Sequence, residues 1–311
     1  MSTEAPRTVT VIGDALIDEL RDPRGAREFV GGAALNVAVG LALLGEHVTL
    51  VAMLGDDEAA MRIRSYLRDY GVRLVESPSA LGTSRAVSDR TDGEPRYEFN
   101  EAAQRRRIRF DDATRAAIDE ADLVVVSCFP FDDDEQTAEL LAAIERPRDR
   151  LAIDGNPRAG MLHDREAFLA NFTRAAAGSL LVKVGDEDGE LLLGAPLSEF
   201  VERLRTAPAD AAAHGAPAVL ATAGRDGATV YDGEHEVHAA IVELPGAVVD
   251  TMGAGDATLS AVVHHLAVHG VPRTAGDWAA ALGEAMTVAA ATVRHEGALL
   301  RIPRREAVDP S

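Results

Sequence analysis

The run Asp250-Thr251-Met252-Gly253-Ala254-Gly255-Asp256 leads straight into a segment carrying Leu259, Val262, Val263 and Leu266 at helical spacing. A carboxylate therefore stands at the start of a helix, behind a string of small residues. Gly253, Ala254 and Gly255 let the backbone approach a ligand closely, and the free N–H groups of the first turn, at the positive end of the helix dipole, form an anion site. A carboxylate beside such a site can take a proton from a hydroxyl as that hydroxyl attacks phosphorus, which makes Asp256 a candidate general base for phosphoryl transfer. The same position also suits an aspartate that only caps the helix. At the other end of the chain Asp14 follows the first strand, and Gly31, Gly32 and Asn36 open a buried helix. A carboxylate and an amide near the carboxyl ends of parallel strands can bind neighbouring hydroxyls of a polyol, and glycines admit its ring. A turn aspartate and an asparagine bonding the backbone would look alike. Lys183 is the only lysine of an arginine-rich chain, through either a specific need for a compact ammonium or codon bias in a GC-rich genome.

Several function classes are excluded. Lys183 is preceded by Val182, so there is no Gly-x-x-x-x-Gly-Lys phosphate loop. The first strand ends at Gly13-Asp14 with no Gly-x-Gly-x-x-Gly behind it, which disfavours a nicotinamide-dependent dehydrogenase. A formal charge of −20 repels nucleic acid and anionic lipid, so bound phosphate must be held by local dipoles and a few placed cations. Cys128, the single cysteine, can form no disulfide within the chain and has no zinc-ligand spacing around it. The N-terminus lacks a signal-peptide pattern, and no apolar run reaches the roughly 18 residues of a membrane span. A cytoplasmic protein is expected, with no nucleic-acid or membrane partner.

The elements that must position these residues follow a strand–helix rhythm. Thr8–Gly13 reads as a buried strand, 31–44 as a buried helix stopped by Gly45, His47–Leu54 as a strand, and 57–70 as an amphipathic helix ended by Gly71. Further strands are expected near Leu123–Ser127, Leu151–Asp154, 180–184 and Ala218–Thr222. The rhythm breaks at 15–30 and again at 83–100, where alternating residues flank the turn signal Thr91-Asp92-Gly93-Glu94. A second hairpin is expected over 229–240, and a helix from Asp256 to His269 ended by Gly270. The expected plan is one α/β domain with a doubly wound, mostly parallel sheet (1–14, 31–82 and 108–311) bearing a small β element (15–30 and 83–107).

Gly31-Gly32-Ala33-Ala34-Leu35-Asn36 through Gly45, with Asp250 to Asp256, resembles the paired signatures of the PfkB/ribokinase family of carbohydrate kinases, in the right order and separation. The Gly13-Asp14 strand end, the interposed hairpin, Thr222-Ala223-Gly224 and Gly297-Ala298 also fall where that family places them. The resemblance implies a ribokinase-like fold with a β lid over a sugar, ATP with Mg2+ as donor, and Asp256 as the base. It implies that Gly253, Ala254 and Gly255 stabilise the transferring phosphoryl group. Asp14, Gly31, Gly32 and Asn36 would then bind sugar hydroxyls, while Lys183, Thr222, Gly224 and Gly227 border the nucleotide. It places Asp188 near magnesium and Asp250 near a monovalent cation such as K+.

The chain also departs from the family pattern. Gly185 and Asp188 replace a common Asn-x-x-Glu near the metal, and Met286 stands where many members have an asparagine near the adenine. Asp154-Gly155-Asn156-Pro157-Arg158 and Lys183-Val184-Gly185-Asp186-Glu187-Asp188 resemble fructokinases and 2-keto-3-deoxygluconate kinases. Fructose or another ketose is thus the expected acceptor, with Arg158 reaching substrate or phosphate. Ribokinase-like, 2-keto-3-deoxygluconate and phosphosugar kinases, and a non-catalytic sugar- or nucleotide-binding regulator, are the alternatives. Arg105-Arg106-Arg107 is expected to be a solvated face rather than a phosphate site. The open edges of a lid hairpin point to a homodimer paired through the lids.

Overall fold

The computed structural model describes residues 6–23, 25–89, 96–145, 148–206, 216–233 and 235–303. Its strands are β1 (Thr8–Gly13), β2 (Leu16–Asp22), β3 (Gly25–Gly31), β4 (His47–Leu54), β5 (Arg73–Pro78), β6 (Ser84–Asp89), β7 (Arg96–Phe99), β8 (Leu123–Ser127), β9 (Leu151–Asp154), β10 (Leu181–Gly185), β11 (Ala218–Thr222), β12 (Ala228–Asp232) and β13 (His235–Ala239). The helices are α1 (Ala33–Leu44), α2 (Glu58–Asp69), α3 (Glu101–Gln104), α4 (Asp112–Glu120), α5 (Asp134–Ala143), α6 (Arg165–Ala176), α7 (Asp186–Leu193), α8 (Leu197–Arg205), α9 (Ala254–His269) and α10 (Ala275–Thr292).

A nine-stranded sheet in the order β13-β12-β11-β10-β9-β8-β1-β4-β5 carries the domain. All its pairings from β11 to β5 are parallel, and β12 and β13 close it as an antiparallel hairpin. The strands are rich in β-branched residues and buried on both faces, as parallel strands covered by crossover helices must be. In β1, Val9 and Val11 join the core beneath α1, α2, α9 and α10, whereas Ile12 joins the core on the opposite face with Ile118, Leu140, Phe172 and Phe200. Asp57, Asp111, Asp133 and Asp164 each cap a helix by accepting a first-turn N–H, so part of the acidity is local architecture. Among the described residues no helix is long and apolar enough to cross a membrane.

The breaks in the rhythm come together as a second sheet of four strands, β3-β2-β6-β7. Leu16–Asp22 and Gly25–Gly31 form the antiparallel pair β2/β3, and β6 joins β2 in parallel before pairing with β7. The turn signal at 91–94 lies outside the described residues. Phe99 anchors this sheet in a small apolar cluster with Ala33, Ala103, Cys128 and Met161, and its ring lies where a Cβ on Gly160 would come within 2.5 Å. Glu28 bridges Arg62 of α2 and Arg85 of β6, and Arg27 reaches Glu296 after α10, so ion pairs join the small sheet to α2 and to the loop that follows α10.

The chain moves outward from β1 in one direction through β4 and β5 and in the other through β8 to β11. A crevice therefore opens at the carboxyl end of β1, the place where open α/β sheets bind ligands. At Gly13 a Cβ would lie 1.9 Å from the Ser127 carbonyl oxygen and 2.7 Å from the Ala34 Cβ, so β1, β8 and α1 meet there only because the residue has no side chain. Gly13→Ala is expected to lower the unfolding free energy by about 1–3 kcal/mol, through forced separation of these elements. Chemical denaturation of the purified variant measures it.

Candidate active site

Gly253, at φ +77°, turns the chain into α9, and a Cβ there would lie 2.7 Å from Ala298. The helix begins at Ala254, so Asp256 is its third residue and not its cap. Its carboxylate turns to other elements: Asn36 of α1 donates from Nδ2 to Oδ2 at 2.8 Å, and Asn156, after β9, donates to Oδ1 at 3.5 Å. One turn further along both helices, a Cβ on Gly40 would come within 2.7 Å of the Ser260 Oγ, and that hydroxyl donates to the Asp256 carbonyl. The close contact at Gly40 and Ser260 sets the spacing that lets Asn36 reach Asp256. Burial pushes the Asp256 carboxyl up to about 6, aided by the charge of Asp154 and opposed by the Asn36 bond and Lys183.

Lys183 rises from β10 into the same crevice. Its ammonium donates to the buried Asp154 Oδ2 at 3.0 Å, and a Cβ on Gly255 would lie 3.4 Å from Nζ. The only lysine thus stands against the first turn of α9. Burial opposes its charge, but Asp154, Asp188 and Asp256 outweigh that and hold its pKa above the ordinary lysine value. Asp154 was not singled out by sequence reasoning, nor was Asn156, although both lie in the motif that drew attention to Arg158. The Asp154 Oδ1 is buried with no hydrogen-bond partner. Asn156 (φ +41°) and Cys128 (φ +52°), which follow β9 and β8, are the non-glycine residues in the left-handed region among those described. Such strain concentrates at functional sites.

Two more acids, Asp14 and Asp18, are close enough to feel one another's charge, and Asp18 that of Asp256. Asp14 accepts the Ala34 N–H at 2.9 Å, fixing the start of α1, and burial raises its pKa. Asp18 on β2 lies over Gly31, where a Cβ would meet its Oδ2 at 2.1 Å. Desolvation, then repulsion from Asp14, pushes Asp18 up to about 7. Its signal was hidden because residues 15–30 read only as an interruption. Gly32, at φ +109°, packs its backbone onto Asp14 and Ala15. Arg158 is 45% exposed and comes within 4.0 Å of Glu187; the desolvation it does suffer is outweighed by the charges of Asp256, Asp188 and Asp14, which favour its protonated form.

The arginine run corrects the expectation of a solvated face. Arg105 pairs with Glu101 and Arg107 with Glu135 at the surface, but Arg106 is buried, donating to the Cys128 and Ala103 carbonyls in a small cavity that Asp14 also lines.

Thr222, Gly224 and Gly227 lie beyond Lys183 at the end of β11. Thr222 is paired in register with Gly185, and a Cβ on Gly227 would meet the Ala239 carbonyl at 2.1 Å. Asp188 is buried with one oxygen accepting the Gly185 N–H at 2.7 Å, and burial raises it to about 6 against the pull of Lys183. Asp250 accepts Met252 N–H at 3.1 Å and Gly297 N–H at 3.2 Å, fastening the approach to α9 onto the 297 loop. Of the metal candidates read from the sequence, Asp188 stands in the first turn of α7 and Asp250 on the approach to α9.

The arrangement can accept a proton at Asp256 and hold anionic charge between the first turn of α9 and Lys183. A buried carboxyl raised from 3.8 to about 6 favours the folded state only while protonated. That contribution is full below the ordinary carboxylate range and lost as pH rises through about 6. Asp256→Asn is therefore expected to raise the unfolding free energy of the ligand-free protein by about 1–3 kcal/mol at pH 8. The gain should shrink as pH falls below about 6, which denaturation curves at stepped pH measure.

Comparison with known proteins bears on this geometry. A family model described as pfkB family carbohydrate kinase matches residues 7–305. The chain is 27% identical over 305 residues to a fructokinase of Klebsiella pneumoniae, covering 96% of this chain and 97% of that one. It is 30% identical over 259 residues to a fructokinase of Rhizobium leguminosarum bv. trifolii, covering 78% and 75%. In fold it is similar to a fructokinase double mutant of Vibrio cholerae O395 in its fructose-, ADP- and potassium-bound form (TM-score 0.75, 20% identity, 96% of each chain). It is likewise similar to aminoimidazole riboside kinase of Salmonella enterica complexed with aminoimidazole riboside and an ATP analogue (TM-score 0.71, 23% identity, 94% of this chain and 95% of that one).

Proposed function

The chain belongs to the pfkB family of carbohydrate kinases, and on that premise we propose that it transfers the γ-phosphoryl group of ATP to a hydroxyl of fructose or another small ketose. The observation that carries the reading is the Asp256 carboxylate, held by Asn36 and Asn156 beside the first turn of α9 and Lys183. The fructokinases among its relatives, and the fructose and ADP in the similar Vibrio cholerae structure, support this choice of donor and acceptor.

In this reading Asp14, Asp18, the Gly31–Gly32 backbone and Asn36 hold the sugar hydroxyls, and the small sheet β3-β2-β6-β7 covers them as a lid. Asp256 takes the proton of the accepting hydroxyl as its oxygen bonds to the γ-phosphorus and the bond to ADP breaks. N–H groups of Gly253, Ala254 and Gly255, with the Lys183 ammonium, meet the charge that develops on the phosphoryl oxygens. Thr222, Gly224 and Gly227 border the nucleotide, with Met286 near its base. The unpartnered Asp154 Oδ1 and the second oxygen of Asp188 are hard oxygen donors near Lys183 and fit a hydrated Mg2+ arriving with the nucleotide. When bound, that ion neutralises phosphate charge. Asp250 keeps lone pairs on both oxygens for a monovalent cation such as K+ that would order the α9 approach. Open edges on β3 and β7 belong to the same reading as a homodimer contact, which sedimentation tests directly.

A second acceptor class is favoured by one observation, the buried Arg106 beside Asp14 with Arg158 close by. Two guanidinium groups there suit an acceptor bearing a carboxylate or phosphate, such as 2-keto-3-deoxygluconate or a phosphosugar.

A coupled assay of ADP release over fructose, ribose, 2-keto-3-deoxygluconate and phosphosugars separates these readings. Release with none of them, together with a ligand-dependent rise in melting temperature, would mark a non-catalytic binder and overturn the proposal. Asp256→Asn is expected to lower kcat at least about 10²-fold with sugar binding retained. The rate of the parent enzyme should fall as pH drops through about 6, where Asp256 gains its proton.

A further inference from the structure

At the opposite end of α9 from Asp256 a second cluster has no part in this chemistry. His265 and His269 are four residues apart in the last turns of α9, so they project from one face, and their rings lie 4.5 Å apart between centroids. Across from them Glu284, in the middle of α10, places its Oε2 3.0 Å from His265 Nδ1. One donor atom from each of the three residues lies within 4.8 Å of the other two. His265 is buried, at 7% side-chain exposure, while Glu284 is 54% exposed and His269 is open to solvent. The cluster thus has an inner imidazole fixed by packing and two outer ligands free to adjust, with an open side toward water.

We propose that His265, His269 and Glu284 form a binding site for a divalent transition-metal ion of the Zn2+ class, which clamps α9 to α10. Two imidazoles and a carboxylate are the ligand types such ions prefer, and water can complete a tetrahedron from the exposed side. Tetrahedral coordination brings donors to about 3.3 Å of one another, so no separation needs to close by more than about 1.5 Å. Rotation about the side-chain bonds of the exposed His269 and Glu284 can supply that. Imidazoles ligate a metal only in their neutral form, so binding weakens as pH falls. The negative end of the α9 dipole and the neighbouring charge of Asp277 both favour a cation here. Nine to thirteen residues of helix separate the cluster from Asp256, about 14–20 Å along the axis. The site is therefore structural, joining two helices that pack in the same core.

The test is Zn2+ titration of the metal-stripped full chain, read by calorimetry and by melting temperature, with neither readout depending on catalysis. One equivalent should bind at micromolar concentration and raise the melting temperature. His269→Ala and Glu284→Gln, both at exposed positions, should each weaken binding at least about tenfold, and the double variant should lose both the equivalent and the thermal shift. Zn2+ bound equally by the double variant, or no binding by the parent at micromolar Zn2+, overturns the proposal.

Discussion

The structure depends on keeping the Asp256 carboxylate out of water and still able to ionise. Burial alone pushes it toward the protonated form, and a protonated acid cannot serve as a base. Three features bring its pKa back to about 6: the Asn36 amide, the Lys183 ammonium and the Arg158 guanidinium. Each comes from a different part of the chain, α1, β10 and the loop after β9, so the balance exists only when the sheet is assembled. Asp154 works against them, which explains why it is itself engaged by Lys183.

Close approach is the means by which these elements meet. Gly13 brings β1 against β8 and α1, Gly40 brings α1 against α9, and Gly255 leaves room for the Lys183 ammonium at the anion site. At each point a side chain would push apart two elements that carry functional groups. The small residues of the two signature runs thus act on the site through distance more than through loop flexibility.

The strongly acidic balance follows from the same economy of cations. Many carboxylates face solvent or cap helices, while Arg106 and Lys183 are buried in the crevice, with the exposed Arg158 at its edge, near Asp14, Asp18, Asp154, Asp188 and Asp256. Because the net charge of −20 repels anions, these few cations and the first turn of α9 are the groups on which the proposed binding of a phosphate-bearing ligand would rest. Ion pairs of Glu28 and Arg27 join the small sheet to α2 and to the loop after α10.

The parallel strands, the buried α1, the helix following Gly253 and the identity of Asp256 could be read from the sequence, because each is written in local periodicity or in a contiguous motif. The family could be read for the same reason, and its model spans residues 7–305. What only the tertiary structure decided is which distant residues share an environment. Periodicity cannot show which way the Asp256 side chain turns; the structure does, with Asn36, 220 positions away, donating to its carboxylate. Nor could it show that residues 15–30 carry an acid to the site or that Arg106 turns inward while Arg105 and Arg107 stay outside. Burial and through-space charge are sums over neighbours that folding brings together, and no single segment of the chain contains them.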